Sequence, residues 1–171
     1  MDSLTRTGVS EMTSAIADYR TPRSWLILAA FIVIVVGVGA WIGSLSAPGE
    51  WYQSLEKPPF NPPGWVFGPV WFTLYVLIGI AGWRIWMTDR SGTPMKLWFA
   101  QMLLNWAWSP VWFIGQMLWG AFAIIIVLLA AIIAFIITAR RQDRLASWLF
   151  VPYAAWVAFA TLLNLSIALL N

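Results

Sequence analysis

The chain has 171 residues, of which 61% are apolar and 10% charged, with 14 Trp and neither Cys nor His. A soluble domain is about half apolar and about a quarter charged, so this composition excludes a soluble globular enzyme, a disordered tail and a disulfide scaffold. Without Cys or His the usual zinc site, a Cys nucleophile, a Ser-His-Asp triad and a His-ligated haem iron are excluded as well. No metal site, no obligatory cofactor and no nucleic-acid partner are expected; the net charge of +3 is small, and where the charges sit matters more than their sum.

Residues 1–23 are mixed polar and read as a mobile N-terminal tail ahead of a single domain over 24–171. Four runs then lack Asp, Glu, Lys and Arg: Ser24–Gly49, Pro58–Trp83, Leu97–Ala139 and Leu145–Asn171. A helix crosses the hydrocarbon core in about 20 residues. The first, second and fourth runs each hold one crossing, and the third holds two if broken at Gly115-Gln116 and Gly120. The expected fold is all-α, an integral membrane bundle of five transmembrane helices at about 25–46, 65–88, 96–114, 118–139 and 146–169. The first helix is preceded by basic residues and followed by Ser44-Leu45-Ser46-Ala47, as a signal peptide would be. Its apolar run is longer than the 7–15 residues of a signal h-region, which favours a retained helix.

With five crossings, Arg6, Arg20, Arg23, Arg84, Arg90, Lys96, Arg140, Arg141 and Arg144 fall on the side of the N-terminus, and Lys57 alone falls on the other. That asymmetry predicts a cytoplasmic N-terminus and an outer C-terminus, and spanning helices of this kind suit a bacterial inner-type membrane. Four or six crossings scatter the same charges over both faces.

The connection 47–64 is long and carries Pro58, Pro59, Pro62 and Pro63. Proline fixes φ and biases the residue before it away from helix, so an extended, stiff segment is expected. Trp51, Tyr52, Leu55 and Phe60 give it an apolar side. It serves either as a lid over the open end of the bundle or as an interfacial aromatic belt. Lys57 on this loop either meets a ligand carboxylate or is simply solvated.

Polar groups in spanning helices mark packing or function. Gln101, Asn105 and Ser109 recur at i, i+4, i+8 and so share one face. Phe67, Trp71 and Tyr75 do the same on the preceding helix, and Pro152, Trp156, Ala160 and Asn164 on the last. Three stripes mixing aromatic faces with a few hydrogen-bonding groups have the composition of a small-molecule pocket. They are also what ties helices together in lipid, and Trp stripes also serve as packing or interface anchors. Gly39-x-x-x-Gly43 suits the seating of a helix from the same chain or a second one, and Gly64-x-x-x-Gly68 suits a helix entry turn.

Three motifs carry a resemblance. The first is Trp51-Tyr52-x-x-Leu55-x-Lys57-Pro58-Pro59-Phe60-x-Pro62-Pro63-x-Trp65-Val66-Phe67-x-Pro69-Val70-Trp71-x-x-Leu74-Tyr75. The second is Gln101-x-x-Leu104-Asn105-x-x-Trp108-Ser109-Pro110-x-x-Phe113, and the third Val151-Pro152-Tyr153-x-x-Trp156-x-x-Phe159-Ala160-Thr161-x-Leu163-Asn164. In this order, from about residue 25 to the end, the sequence resembles the translocator protein family, whose bacterial members are the tryptophan-rich sensory proteins and whose animal members are peripheral-type benzodiazepine receptors. The resemblance implies a five-helix bundle, usually a homodimer in the lipid bilayer, with a pocket beneath the first loop. The ligands it implies are porphyrins, above all protoporphyrin IX, with haem, sterols and synthetic hydrophobic compounds. It implies a role in tetrapyrrole sensing, scavenging or transport. The alternatives are a light- and oxygen-dependent porphyrin-degrading enzyme and a sterol or small-molecule transporter. By motif, the ligand-binding residues are Tyr52, Phe67, Trp71, Tyr75, Asn105, Trp108, Trp156 and Ala160, and Trp71 and Trp156 are the catalytic ones if the protein is an enzyme. One departure stands out. The cholesterol motif proposed for animal members needs a basic residue after its Tyr, and here the last basic residue, Arg144, precedes Tyr153.

Overall fold

The computed structural model describes residues 19–171. Among the described residues seven α-helices run in the order α1 (Pro22–Leu45), α2 (Glu50–Ser54), α3 (Phe67–Thr88), α4 (Thr93–Phe113), α5 (Leu118–Ala139), α6 (Arg144–Leu149) and α7 (Val151–Leu170). A 3₁₀ turn, Gly64–Val66, leads into α3, and no strand occurs among the described residues. The five long helices, α1, α3, α4, α5 and α7, form one bundle. In it α4 packs most extensively on α5, α1 on α3, and α5 also on α7.

Among the described residues four stretches are long and apolar enough to cross a membrane: Pro22–Leu45, Gly64–Thr88, Leu118–Ala139 and Arg144–Leu170. The remaining long helix, α4, carries Lys96, Gln101, Asn105 and Ser109 and is the least apolar of the five. The outward faces are greasy. Leu26 is 72% exposed, Val33 68% and Trp41 65%, and large apolar side chains such as Phe72, Leu103, Val127 and Ile137 are exposed on other helices. A water-facing surface does not carry apolar area on this scale. The protein is an integral membrane helical bundle.

Local chemistry explains the observed boundaries. Helix α1 starts three residues before the expected position, because Thr21 caps it by accepting from the Ser24 N–H at 3.2 Å and Pro22 fits the first turn. The expected tail therefore gives up Pro22 and Arg23 to a helix. Tyr19 is packed too. Its ring stands edge-on to Trp83 at 5.3 Å, its hydroxyl lies 3.2 Å from Thr88 Oγ1, and the Arg84 guanidinium sits over it. The rest of the tail reading, residues 1–18, lies outside the described residues. The loop is not extended throughout: Glu50–Ser54 forms the short helix α2, ahead of the first proline of the cluster. Helix α4 likewise starts earlier than expected, at Thr93. Asp89 accepts from the N–H groups of Ser91 and Gly92 and turns the chain tightly, and Pro94 takes the first turn.

The break between α4 and α5 falls at the expected place. The carbonyl of Pro110 accepts from both Ile114 and Gly115, and Gln116 adopts a φ of 54°. The last helix differs from the single one expected at 146–169. Asp143 caps α6 through Ala146 N–H and pairs with Arg84 at 2.8 Å. Helix α7 restarts at Val151, where Pro152, having no N–H, belongs in a first turn.

Two glycines set the helix spacing. A methyl group on Gly39 of α1 would collide with the ring of Tyr75 in α3, and one on Gly82 would collide with the indole of Trp98 in α4. Gly39 thus seats a side chain of its own chain, whereas a Cβ on Gly43 would meet open space. The Trp98 indole cannot easily retreat, since its N–H donates to the Ile78 carbonyl at 3.0 Å. Overpacking of this kind costs about 1–3 kcal/mol. Gly82→Ala is expected to lower the melting temperature in detergent, and Gly37→Ala, where no atom lies within 4 Å, to leave it unchanged. Circular dichroism or scanning fluorimetry of the two variants checks this.

Candidate ligand cavity

A cavity of about 580 Å³ opens between the helices at the end of the bundle where residues 47–64 connect α1 to α3. This lies within the range of about 300–1,000 Å³ typical of small-molecule sites. All eight residues singled out from the sequence line it: Tyr52, Phe67, Trp71, Tyr75, Asn105, Trp108, Trp156 and Ala160. Ser46, Asn61 and Asn164 join them, as does an α1 strip including Gly39, Ala40 and Gly43. The α1 strip has no polar or aromatic side chain to mark it as a ligand surface, and its Gly39-x-x-x-Gly43 spacing reads as helix packing. Asn164 stood in the last-helix stripe, one turn beyond Ala160, and that spacing was its signal.

The loop lies against the cavity's end through several contacts. Tyr52 meets Phe113 edge-on at 5.4 Å, Trp51 meets Trp112 at 6.3 Å, and Phe60 meets Phe159 at 6.4 Å. The Tyr52 hydroxyl reaches Asn61 Oδ1 at 3.5 Å, and burial pushes its phenol pKa up, so it stays protonated. Asn171, after α7, fastens the loop. Its side chain accepts from the Glu56 N–H at 3.0 Å and donates to the Glu56 carbonyl at 3.1 Å. The Lys57 ammonium donates to the carbonyls of Gln53 and Leu55 and lies 4.8 Å from the Tyr52 ring centroid. That lysine therefore works within the loop. Trp65, 76% exposed, turns away from the cavity as an interfacial anchor would.

The walls are aromatic. Trp71 lies 5.3 Å from Tyr75 and 6.2 Å from Tyr153, ring centre to ring centre. Phe67 meets Trp156 edge-on at 5.8 Å, and Trp108 stacks on the fully buried Trp112 at 5.9 Å and 16°. The Trp108 indole N–H donates to Asn164 Oδ1 at 3.3 Å.

The floor is a closed chain of hydrogen bonds across three helices. Tyr75 donates to Asn105 Oδ1 at 3.1 Å, Asn105 Nδ2 to the Tyr153 hydroxyl at 2.9 Å, and Tyr153 to Gln101 Oε1 at 3.0 Å. Gln101 Nε2 ends it on the Trp98 carbonyl at 2.9 Å. That carbonyl can only accept, which fixes the direction of the chain: each hydroxyl donates inward and Tyr75 keeps an oxygen lone pair free. Of the expected polar line, Asn105 and Ser109 line the cavity while Gln101, fully buried, supports them from below.

A cavity of aromatic faces with few polar groups, covered at one end by a proline-rich loop, sits in an integral membrane helical bundle. The TspO/MBR family pattern matches residues 29–170. The human translocator protein is 36% identical over 135 residues, covering 74% of this chain and 80% of its own. The tryptophan-rich sensory protein of Cereibacter sphaeroides is 35% identical over 147 residues, covering 86% and 92%. The tryptophan-rich protein TspO of Archaeoglobus fulgidus is 34% identical over 148 residues, covering 85% and 96%. The chain belongs to the TspO/MBR family.

Replacing Tyr153 by Phe leaves an Asn105 N–H and the Gln101 oxygen unpaired in an apolar interior. A loss of about 1–3 kcal/mol is expected, read as a lower melting temperature in detergent. Tyr52→Phe, which removes only a 3.5 Å bond at a half-buried site, is expected to change it little.

Proposed function

We propose that the protein binds porphyrin-type tetrapyrroles, protoporphyrin IX foremost, in this cavity, and serves in their sensing, scavenging or transport. The observation that carries the reading is that indoles from three different helices line one cavity. Trp71 comes from α3, Trp108 from α4 and Trp156 from α7. An indole offers a large flat apolar face to a macrocycle, and no iron ligand is needed for metal-free porphyrin. The family membership agrees with this reading. The loop 47–64 acts as the lid of the site, tied down by Asn171 and by its ring contacts.

The orientation follows from charge. Five crossings, with α4 as the least apolar, place Arg84, Arg90, Lys96, Arg140, Arg141 and Arg144 together with the N-terminus on the cytoplasmic face of an inner-type membrane. The cavity then opens toward the outer side, and the C-terminus lies there.

Titration with protoporphyrin IX in lipid nanodiscs is expected to quench tryptophan fluorescence saturably. The Trp71→Phe, Trp156→Phe double variant is expected to bind at least about tenfold more weakly, as losing two stacking faces of about 1 kcal/mol each requires. An unchanged affinity in that variant removes the proposed site.

A further inference from the structure

We propose that Asn164 is the donor that orients the bound ligand, holding a carbonyl or carboxylate oxygen through its amide NH₂. The inference rests on the ligand-binding reading above and adds the chemical group that is recognised. Asn164 is 3% exposed and lines the cavity. Its Oδ1 accepts from the Trp108 indole N–H at 3.3 Å. An indole N–H only donates, so the amide cannot be turned over: oxygen faces Trp108 and the NH₂ faces away from it. Among the described residues no protein group accepts from that NH₂.

The other amides of the cavity are already engaged. Asn105 accepts from Tyr75 and its NH₂ already donates to the Tyr153 hydroxyl. Asn61 accepts from Tyr52 and donates to the Pro62 carbonyl. The indole N–H groups of Trp106 in α4 and Trp156 in α7 and the Ser46 hydroxyl, all on residues that line the cavity, are also buried without a partner. The Asn164 NH₂ is thus a buried donor without a protein acceptor, and buried donors left unpaired are costly. A ligand that satisfies it brings an acceptor. Asn164 follows Ala160 by one helical turn and Trp156 by two, on the same face. An oxygen held at Asn164 lays the body of the ligand over the small Ala160 and against the Trp156 ring. The site thus selects a flat apolar molecule with an acceptor at its edge.

The test uses the whole protein in nanodiscs, with fluorescence quenching by two probes. Protoporphyrin IX carries two carboxyl groups, and etioporphyrin carries only alkyl groups. The wild type is expected to prefer protoporphyrin by about tenfold, the size of one hydrogen bond to a charged acceptor. Asn164→Leu is expected to abolish the preference while leaving etioporphyrin affinity within about twofold, and because both probes meet the same Trp108, its lost bond cancels from the comparison. If Asn164→Leu binds both probes and keeps the preference, the Asn164 assignment is overturned and the cavity reading stands. If the wild type binds neither probe saturably, the cavity reading itself falls. Should Asn164→Leu fail to fold, infrared spectroscopy of the wild type decides. A carbonyl band of bound protoporphyrin at lower frequency than in micelles supports the assignment, and an unshifted band overturns it.

Discussion

The structure depends on one constraint: polar groups inside a lipid-facing bundle must find each other, because hydrocarbon offers them no hydrogen bonds and the bilayer core holds no water. Tyr75, Asn105, Tyr153 and Gln101 come from three helices and meet in a single hydrogen-bonded chain. That chain pins α3, α4 and α7 in register at one depth. Below it the helices close on a packed core of Ile78, Ile85, Ile132, Phe135 and Phe150. Above it the same helices carry rings and small residues that leave space, and the cavity begins at Tyr75.

Close packing and open space thus come from the same devices used at different depths. Gly82 lets the Trp98 indole against α3, and Gly39 lets Tyr75 against α1, so both rings are held by contact as well as by hydrogen bonds. Further along α1, Gly43 meets no side chain and lines the cavity instead. The loop then covers that end through aromatic edges and the paired hydrogen bonds of Asn171 to Glu56. A site built in this way has a fixed floor and a cover held by weaker, more exposed contacts, which suits a ligand that must enter and leave.

Much of this was legible in the chain itself. Uncharged runs marked the spans, because charge is expelled from hydrocarbon, and α5 fell at the very residues its run allowed. The i, i+4 stripes marked the cavity walls, because helical geometry puts such residues on one face. Other features could not be read this way. Thr21-Pro22 and Asp89 start α1 and α4 earlier than hydrophobicity suggests, since capping is a local hydrogen-bond effect that composition does not register. Helix α2 sits inside a segment dominated by prolines that lie after it. The α1 wall of the cavity has no polar or aromatic signature, and the partners of Asn164 and Asn171 are far away in sequence, so only the fold reveals them.

The central claim is that the space above the Tyr75–Gln101 chain is the binding site for a porphyrin. A structure of the protein in nanodiscs with protoporphyrin IX bound tests it most directly. The account predicts the macrocycle among Trp71, Trp108 and Trp156, beneath the loop, with the tyrosine–asparagine chain unchanged under it. A macrocycle lying instead on the lipid-facing surface, against exposed indoles such as Trp25 or Trp41, contradicts it.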